Sequence, residues 1–170
     1  EQGARMASAQ GASPSAVDTI RSMQQQIMSA VRTASDSAEV ANQVRSMLNT
    51  RGLPDAQIQS QIEQMTSPWF RFFVRYDPAP TLRQVDVPVL ALYGSKDLQV
   101  PPEQNAPPMR AALRSSPSDD VTVRVLDGLN HLFQPAETGL PTEYAQIETT
   151  MAPRALEAVA AWIRARTAVN

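Results

Sequence analysis

The chain has 170 residues, 42% of them hydrophobic and 19% charged, with a formal charge of −2. That is enough for one domain with a real core, or one domain and an appendage, but short for two ordinary domains; a highly charged disordered tail is excluded. Scattered arginines on an acidic chain give no electrostatic footprint for nucleic acid, no apolar run reaches membrane-spanning length, and the absence of cysteine excludes a disulfide framework, a thiolate nucleophile and a cysteine-based metal site.

Composition changes near residue 80. Residues 1–66 are rich in Ala, Ser, Gln and Met, and their apolar positions follow helical spacing: Ile20, Met23, Ile27 and Val31, then Val40, Val44, Met47 and Leu48, then Ile58, Ile62 and Met65. This predicts three amphipathic helices, separated at Ser35-Asp36, a plausible N-cap, and at Arg51-Gly52-Leu53-Pro54, where Gly closes one helix and Pro cannot continue it.

After Ser67-Pro68, the residues Trp69, Phe72, Phe73 and Tyr76 fall on one side of a short helix. Such a stripe reads either as a core anchor or as the wall of an apolar substrate pocket, with Trp69 and Phe73 its candidate contacts. Asp77-Pro78-Ala79-Pro80 predicts an extended turn.

Residues 87–93 form a nearly continuous apolar run ending at Gly94, the pattern of a strand covered on both faces. Val121–Leu126 alternates as a second strand, and the helix formers of 102–115 lie between the two. Strand, helix, strand is a βαβ unit, so the strands are expected to be parallel. A last helix, Pro153 to Thr167, starts with Pro in its first turn and is expected to pack Leu156, Val159, Ala160 and Ile163 on the sheet. Two strands are too few for a doubly covered parallel sheet, and the chain opens Glu1-Gln2-Gly3 with neither an initiator Met nor a signal core. Both features lead us to expect a piece of a longer chain.

Each predicted strand is followed at its carboxyl end by a polar loop, the edge where ligands and catalytic groups collect in open α/β sheets. The first loop is Gly94-Ser95-Lys96-Asp97-Leu98-Gln99-Val100-Pro101, and the second, Asp127 to Gln134, holds the only histidine, His131. Either loop alone reads as an ordinary turn. Together they place an acid and an imidazole at neighbouring strand ends, where a carboxylate accepts the Nδ1 proton and leaves Nε2 to take a proton from a nucleophile. Asp127 is nearer to His131 in sequence but lies at the strand end as a turn cap, and Asp119 and Asp120 sit at the opposite end, so Asp97 is the favoured acid. One histidine among scattered carboxylates has no metal-ligand spacing, and no glycine-rich loop precedes a helix to cradle phosphate.

As an ordered set, Gly94-x-x-Asp97-x-x-Val100-Pro101 followed by Gly128-x-x-His131 resembles the C-terminal half of the α/β-hydrolase superfamily, nearest its serine-aminopeptidase-like and dienelactone-hydrolase-like esterase branches. The likeness covers about residues 68–167. It implies an α/β chain with a partial α/β-hydrolase fold: a helical lid over residues 1–66, then the last two parallel strands with flanking helices over 67–170. It further implies a serine hydrolase of carboxylic esters or related acyl substrates that needs no cofactor, with Asp97 the triad acid and His131 the triad base. The family's Gly-x-Ser-x-Gly nucleophile motif is absent, because no two of the six glycines bracket a serine. Ser95, two positions from Asp97, is poorly placed to replace it. The nucleophile, the oxyanion hole and the rest of the sheet are therefore expected in a missing N-terminal half of the same fold. The alternative is a non-catalytic helical binding or assembly module on a small α/β base.

Overall fold

The computed structural model describes residues 1–49 and 52–167. The architecture is mixed α/β, with two compact units that divide between Asp77 and Pro78.

The first unit is helical: α1 (Gln2–Ala9), α2 (Pro14–Thr33), α3 (Ser37–Asn49), α4 (Asp55–Thr66) and α5 (Pro68–Arg75). Its core is the apolar stripe read from the sequence, with Ile27, Val31, Val40, Val44, Leu48, Ile58 and Ile62 buried in one cluster. The helix starts are encoded locally. Ser13 accepts a hydrogen bond from the Ala16 N–H ahead of Pro14, and the Asp36 carboxylate accepts one from the Glu39 N–H at 2.8 Å. The Glu39 carboxylate reaches back to the N–H and hydroxyl of Ser35 at 2.8 and 2.9 Å, so the start of α3 is closed from both sides. Gly52, at φ +65°, takes the left-handed conformation of the turn before α4; Arg51 of that expected break lies outside the described residues.

Three expectations about this region need correction. The unit holds four helices before α5 rather than three, because α1 forms from an Ala/Ser-rich stretch without large apolar spacing; Ala4 is buried and the Glu1 carboxylate pairs with Arg21 of α2 at 3.1 Å. The aromatic stripe is not a core anchor. Trp69, Phe72, Phe73 and Tyr76 are all exposed and stack as two pairs, Trp69 on Phe73 and Phe72 on Tyr76, at 5.4 and 5.6 Å. It is Phe70 and Val74 that pack on the helical core. The cause is polar: Arg71 and Arg75, next to those two residues, donate to the carbonyls of Ala34, Ser35 and Arg32 beyond and within the last turn of α2, which turns that face inward. Residues expected as an extended turn after Asp77 instead form a one-turn helix, α6 (Ala79–Leu82), since Pro80 in a first turn lacks only an N–H that has no helical partner anyway. The structural division at Asp77 lies close to the compositional change near residue 80 and beyond the lid limit expected after residue 66, because α5 goes with the helices it packs on.

The second unit is built on β1 (Val89–Gly94) and β2 (Val121–Leu126), paired in parallel with Val89 opposite Val121 and Gly94 opposite Leu126. Helix α7 (Pro102–Leu113) joins them; it buries Ala106, Ala112 and Leu113, and its Arg110 donates to the Val123 carbonyl at 3.1 Å. A 3₁₀ turn (Pro141–Gln146) and α8 (Pro153–Thr167) complete the unit. The expected packing of α8 requires correction. Leu156, Val159 and Ile163 are exposed, and Ala155, with Ala152 just before the helix, is what enters the cluster of Leu126 and Leu129. A two-stranded sheet offers too little surface for a fifteen-residue helix, and α8 is fastened near its ends instead: Ala152 N–H to the Phe133 carbonyl at 2.9 Å, Arg154 to the Asp127 carbonyl, and Arg166 paired with Asp120. That hydrogen-bonded pairing lowers the Asp120 carboxyl below its usual range. No helix among the described residues is long and apolar enough to cross a membrane.

Candidate active site

Parallel pairing brings the two polar loops side by side because β1 and β2 end in register. The loops are then joined by backbone hydrogen bonds, Ser95 N–H to the Leu126 carbonyl at 2.9 Å and Lys96 N–H to the Leu129 carbonyl at 2.8 Å. Gly94 makes this possible. A β-carbon there would lie 2.3 Å from the Leu129 oxygen and 2.6 Å from the Asn130 oxygen, well inside contact distance.

Asp97 and His131 meet at this junction. The Asp97 carboxylate is only 6% exposed, and both of its oxygens are engaged: Oδ1 accepts from the Gln99 and Val100 N–H groups, each at 2.8 Å, and Oδ2 lies 2.9 Å from His131 Nδ1. The two backbone donors keep the carboxylate in one orientation and compensate its burial. With Oδ2 as its neighbour, neutral imidazole carries its proton on Nδ1, which leaves the Nε2 lone pair free to accept another. The His131 side chain is 37% exposed, and among the described residues nothing is hydrogen-bonded to Nε2.

Two of the other three acids weighed from the sequence are committed elsewhere. Asp127 accepts from the Ser95 hydroxyl at 2.9 Å, and Ser95 Oγ in turn accepts from the Gly128 N–H at 2.7 Å. Ser95 thus bridges the two loops as a strut. Asp120 is paired with Arg166, and Asp119 is exposed. Trp69 and Phe73 are stacked on one another in the helical unit. In that same unit Met23 and Met47 line an open groove of about 640 Å³ whose other walls, Asp18, Thr19, Ser22, Gln26 and Ser46, are polar. Among the described residues no three His, Asp or Glu side chains converge as metal ligands.

Sequence reasoning missed Asn130 and Gln134, both buried polar residues flanking His131. Asn130 Oδ1 accepts from the Leu132 and Gln134 N–H groups at 2.9 Å, and its Nδ2 donates to Gln134 Oε1 at 3.0 Å. Within this turn Phe133 takes φ +57°, an uncommon conformation for a bulky residue, held by its own N–H to Asn130 and its carbonyl to Ala152. The polar pair at i and i+4 around the only histidine was the available signal.

A strap of residues 136–147 adjoins the acid loop. Gly139, at φ +78°, comes so close to the Lys96 carbonyl that no β-carbon fits, and Gln99 donates to the Tyr144 hydroxyl at 3.0 Å. Desolvation pushes the Glu143 carboxyl up, but hydrogen bonds from the Thr138 side chain and from the backbone N–H groups of Thr138 and Gly139 outweigh it and hold the carboxyl below its ordinary value. A lowered folded-state value means stability present above the unfolded carboxylate range and lost as pH falls through the folded one. The protection factors of the Thr138 and Gly139 amides should therefore fall selectively, relative to the rest of the unit, on acidification, and Glu143→Gln should remove the acid-dependent part of that fall.

The site thus consists of a buried, doubly hydrogen-bonded carboxylate aligning a half-exposed imidazole at the carboxyl edge of two parallel strands. Comparison with family models, with curated proteins and with solved structures finds no match for this chain.

Proposed function

We propose that this chain carries the acid and the base of a serine hydrolase acting on carboxylic esters or related acyl substrates, in a partial α/β-hydrolase fold. The observation that carries the reading is the contact between Asp97 Oδ2 and His131 Nδ1 at 2.9 Å, with Oδ1 held by two backbone donors. The resemblance of the Gly94–Pro101 and Gly128–His131 loops to that superfamily supports it.

In this scheme the serine belongs to polypeptide beyond the present sequence, in the missing N-terminal half of the fold. His131 Nε2 removes the serine proton as its oxygen attacks the ester carbonyl, and Asp97 stabilises the resulting imidazolium. The imidazolium returns that proton to the departing alkoxide, which leaves an acyl-serine. Water, deprotonated by the same Nε2, then adds to the acyl carbon; collapse returns the proton to serine and releases the acid. The resemblance gives residues 1–66 the role of a lid, and Trp69 and Phe73 that of candidate apolar contacts for the acyl group. The exposed aromatic face of α5 also favours a second reading, a non-catalytic binding or assembly module.

Serine-directed fluorophosphonate labelling separates the two. The 170-residue chain should take up no label, and the product of the complete reading frame should take up one equivalent, lost in His131→Ala. Stoichiometric labelling of the 170-residue chain would contradict a nucleophile placed elsewhere, and no labelling of the complete product would favour the binding module.

A further inference from the structure

Asn130 is fully buried, adjacent to His131 and absorbed by none of the chemistry above. Its amide orientation follows from its neighbours, because only the oxygen can accept from the N–H groups of Leu132 and Gln134. The nitrogen then faces Gln134 Oε1. Two backbone bonds complete the circuit, Asn130 N–H to the Gln134 carbonyl and Phe133 N–H to the Asn130 carbonyl, each at 3.0 Å. His131 is therefore enclosed in a five-residue turn whose two ends are tied to each other by side chain and backbone alike. Buried amides at such positions cost desolvation unless every group is met. Here the amide oxygen serves two donors and one amide hydrogen serves Gln134.

We propose that Asn130 is the positioning residue of His131: its side-chain oxygen sets the turn so that Nδ1 aims at Asp97. Gln134 acts with it, as the partner that keeps the amide from rotating. This inference rests on the acid–base reading of Asp97 and His131, and it adds a device that the reading does not require. Asp97 could in principle orient the ring unaided. The Phe133 conformation argues against that, since a bulky residue at φ +57° persists only where surrounding bonds over-determine it, and the Asn130 side-chain oxygen holds the N–H groups on both sides of it, those of Leu132 and Gln134.

With one histidine in the chain, imidazole NMR signals are unambiguous. In the ¹⁵N-labelled 170-residue protein, at alkaline pH, long-range ¹H–¹⁵N spectra should show the Nδ1–H tautomer and a slowly exchanging, downfield Nδ1 proton. Asn130→Ala should lose that proton and populate both tautomers, while amide dispersion of α7 and β1 stays unchanged. Asn130→Asp should keep it, because a carboxylate oxygen still accepts from Leu132 and Gln134 and the Gln134 amide can turn to donate to the other oxygen. Retention of the Nδ1 proton in a folded Asn130→Ala would overturn the proposal and leave the Asp97–His131 pair standing. Should Asn130→Ala fail to fold, Asn130→Asp decides: the proton kept supports the proposal, the proton lost overturns it. Absence of the Nδ1–H tautomer in the unsubstituted protein would instead contradict the acid–base reading itself.

Discussion

Asp97→Asn will invert the tautomer of His131 while leaving the ring near its present position. The Gln99 and Val100 N–H groups both donate to Asp97 Oδ1, so the carbonyl oxygen of an asparagine must occupy that place. Its NH₂ group then replaces Oδ2, opposite His131 Nδ1. A donor facing Nδ1 requires a lone pair there and moves the imidazole proton to Nε2, the nitrogen that must be unprotonated to act as a base. In the complete reading frame this should lower kcat for ester hydrolysis by about 10⁴-fold, the scale at which a wrong tautomer disables triads of this kind. The 170-residue protein reports the same event spectroscopically, as exchange of the Nδ1–H pattern for the Nε2–H pattern. An Asp97→Asn protein that keeps the Nδ1 proton would show that the two backbone donors do not control the side chain's orientation.

The second large effect comes from a single methyl group. Gly94→Ala places a β-carbon within 2.3 Å of the Leu129 carbonyl and 2.6 Å of the Asn130 carbonyl, and both obstacles are backbone atoms. No rotamer change relieves such an overlap, so the loop carrying His131 must move outward. The Lys96–Leu129 hydrogen bond, 2.8 Å long, is the first contact to open, and the Asp97–His131 contact lies one residue beyond Lys96 and two beyond Leu129. Overpacking of this kind costs about 1–3 kcal/mol, measurable as a lower urea midpoint. The more specific expectation is loss of the downfield Nδ1 proton even at denaturant concentrations where the unit stays folded. A folded Gly94→Ala that retains this proton would show that the loops tolerate separation.

These effects bear on what could be read in advance. The strand Val121–Leu126 and the helix Pro153–Thr167 were legible because alternation and an N-terminal proline are local signals. The pairing of Asp97 with His131 was legible for a topological reason: parallel strands joined by one helix end side by side, whatever the residues between them. Packing was less legible wherever it depended on partners distant in sequence. Four aromatic residues, three on α5 and Tyr76 just after it, allowed a core anchor as one reading, yet the carbonyls near the end of α2 accept from Arg71 and Arg75, and Phe70 and Val74 are the residues that pack inward. The apolar stripe of α8 argued for burial on a sheet, and the described strands are too few to bury it. Asn130 and Gln134 were passed over because polar residues in a loop read as solvated; only the closed turn reveals that each satisfies the other. Helix α1 carried one large apolar side chain, Met6, and one residue sets no spacing.

The exposed side chains of Leu156, Val159 and Ile163, and a sheet of two strands among the described residues, fit the proposal that further β-structure completes this unit. Steady-state hydrolysis of short p-nitrophenyl esters by the product of the complete reading frame, with and without His131→Ala, tests the central claim most directly. The account predicts turnover in the parent and a drop in kcat of at least about 10⁴-fold on removing the imidazole. Equal turnover in the two proteins would contradict it.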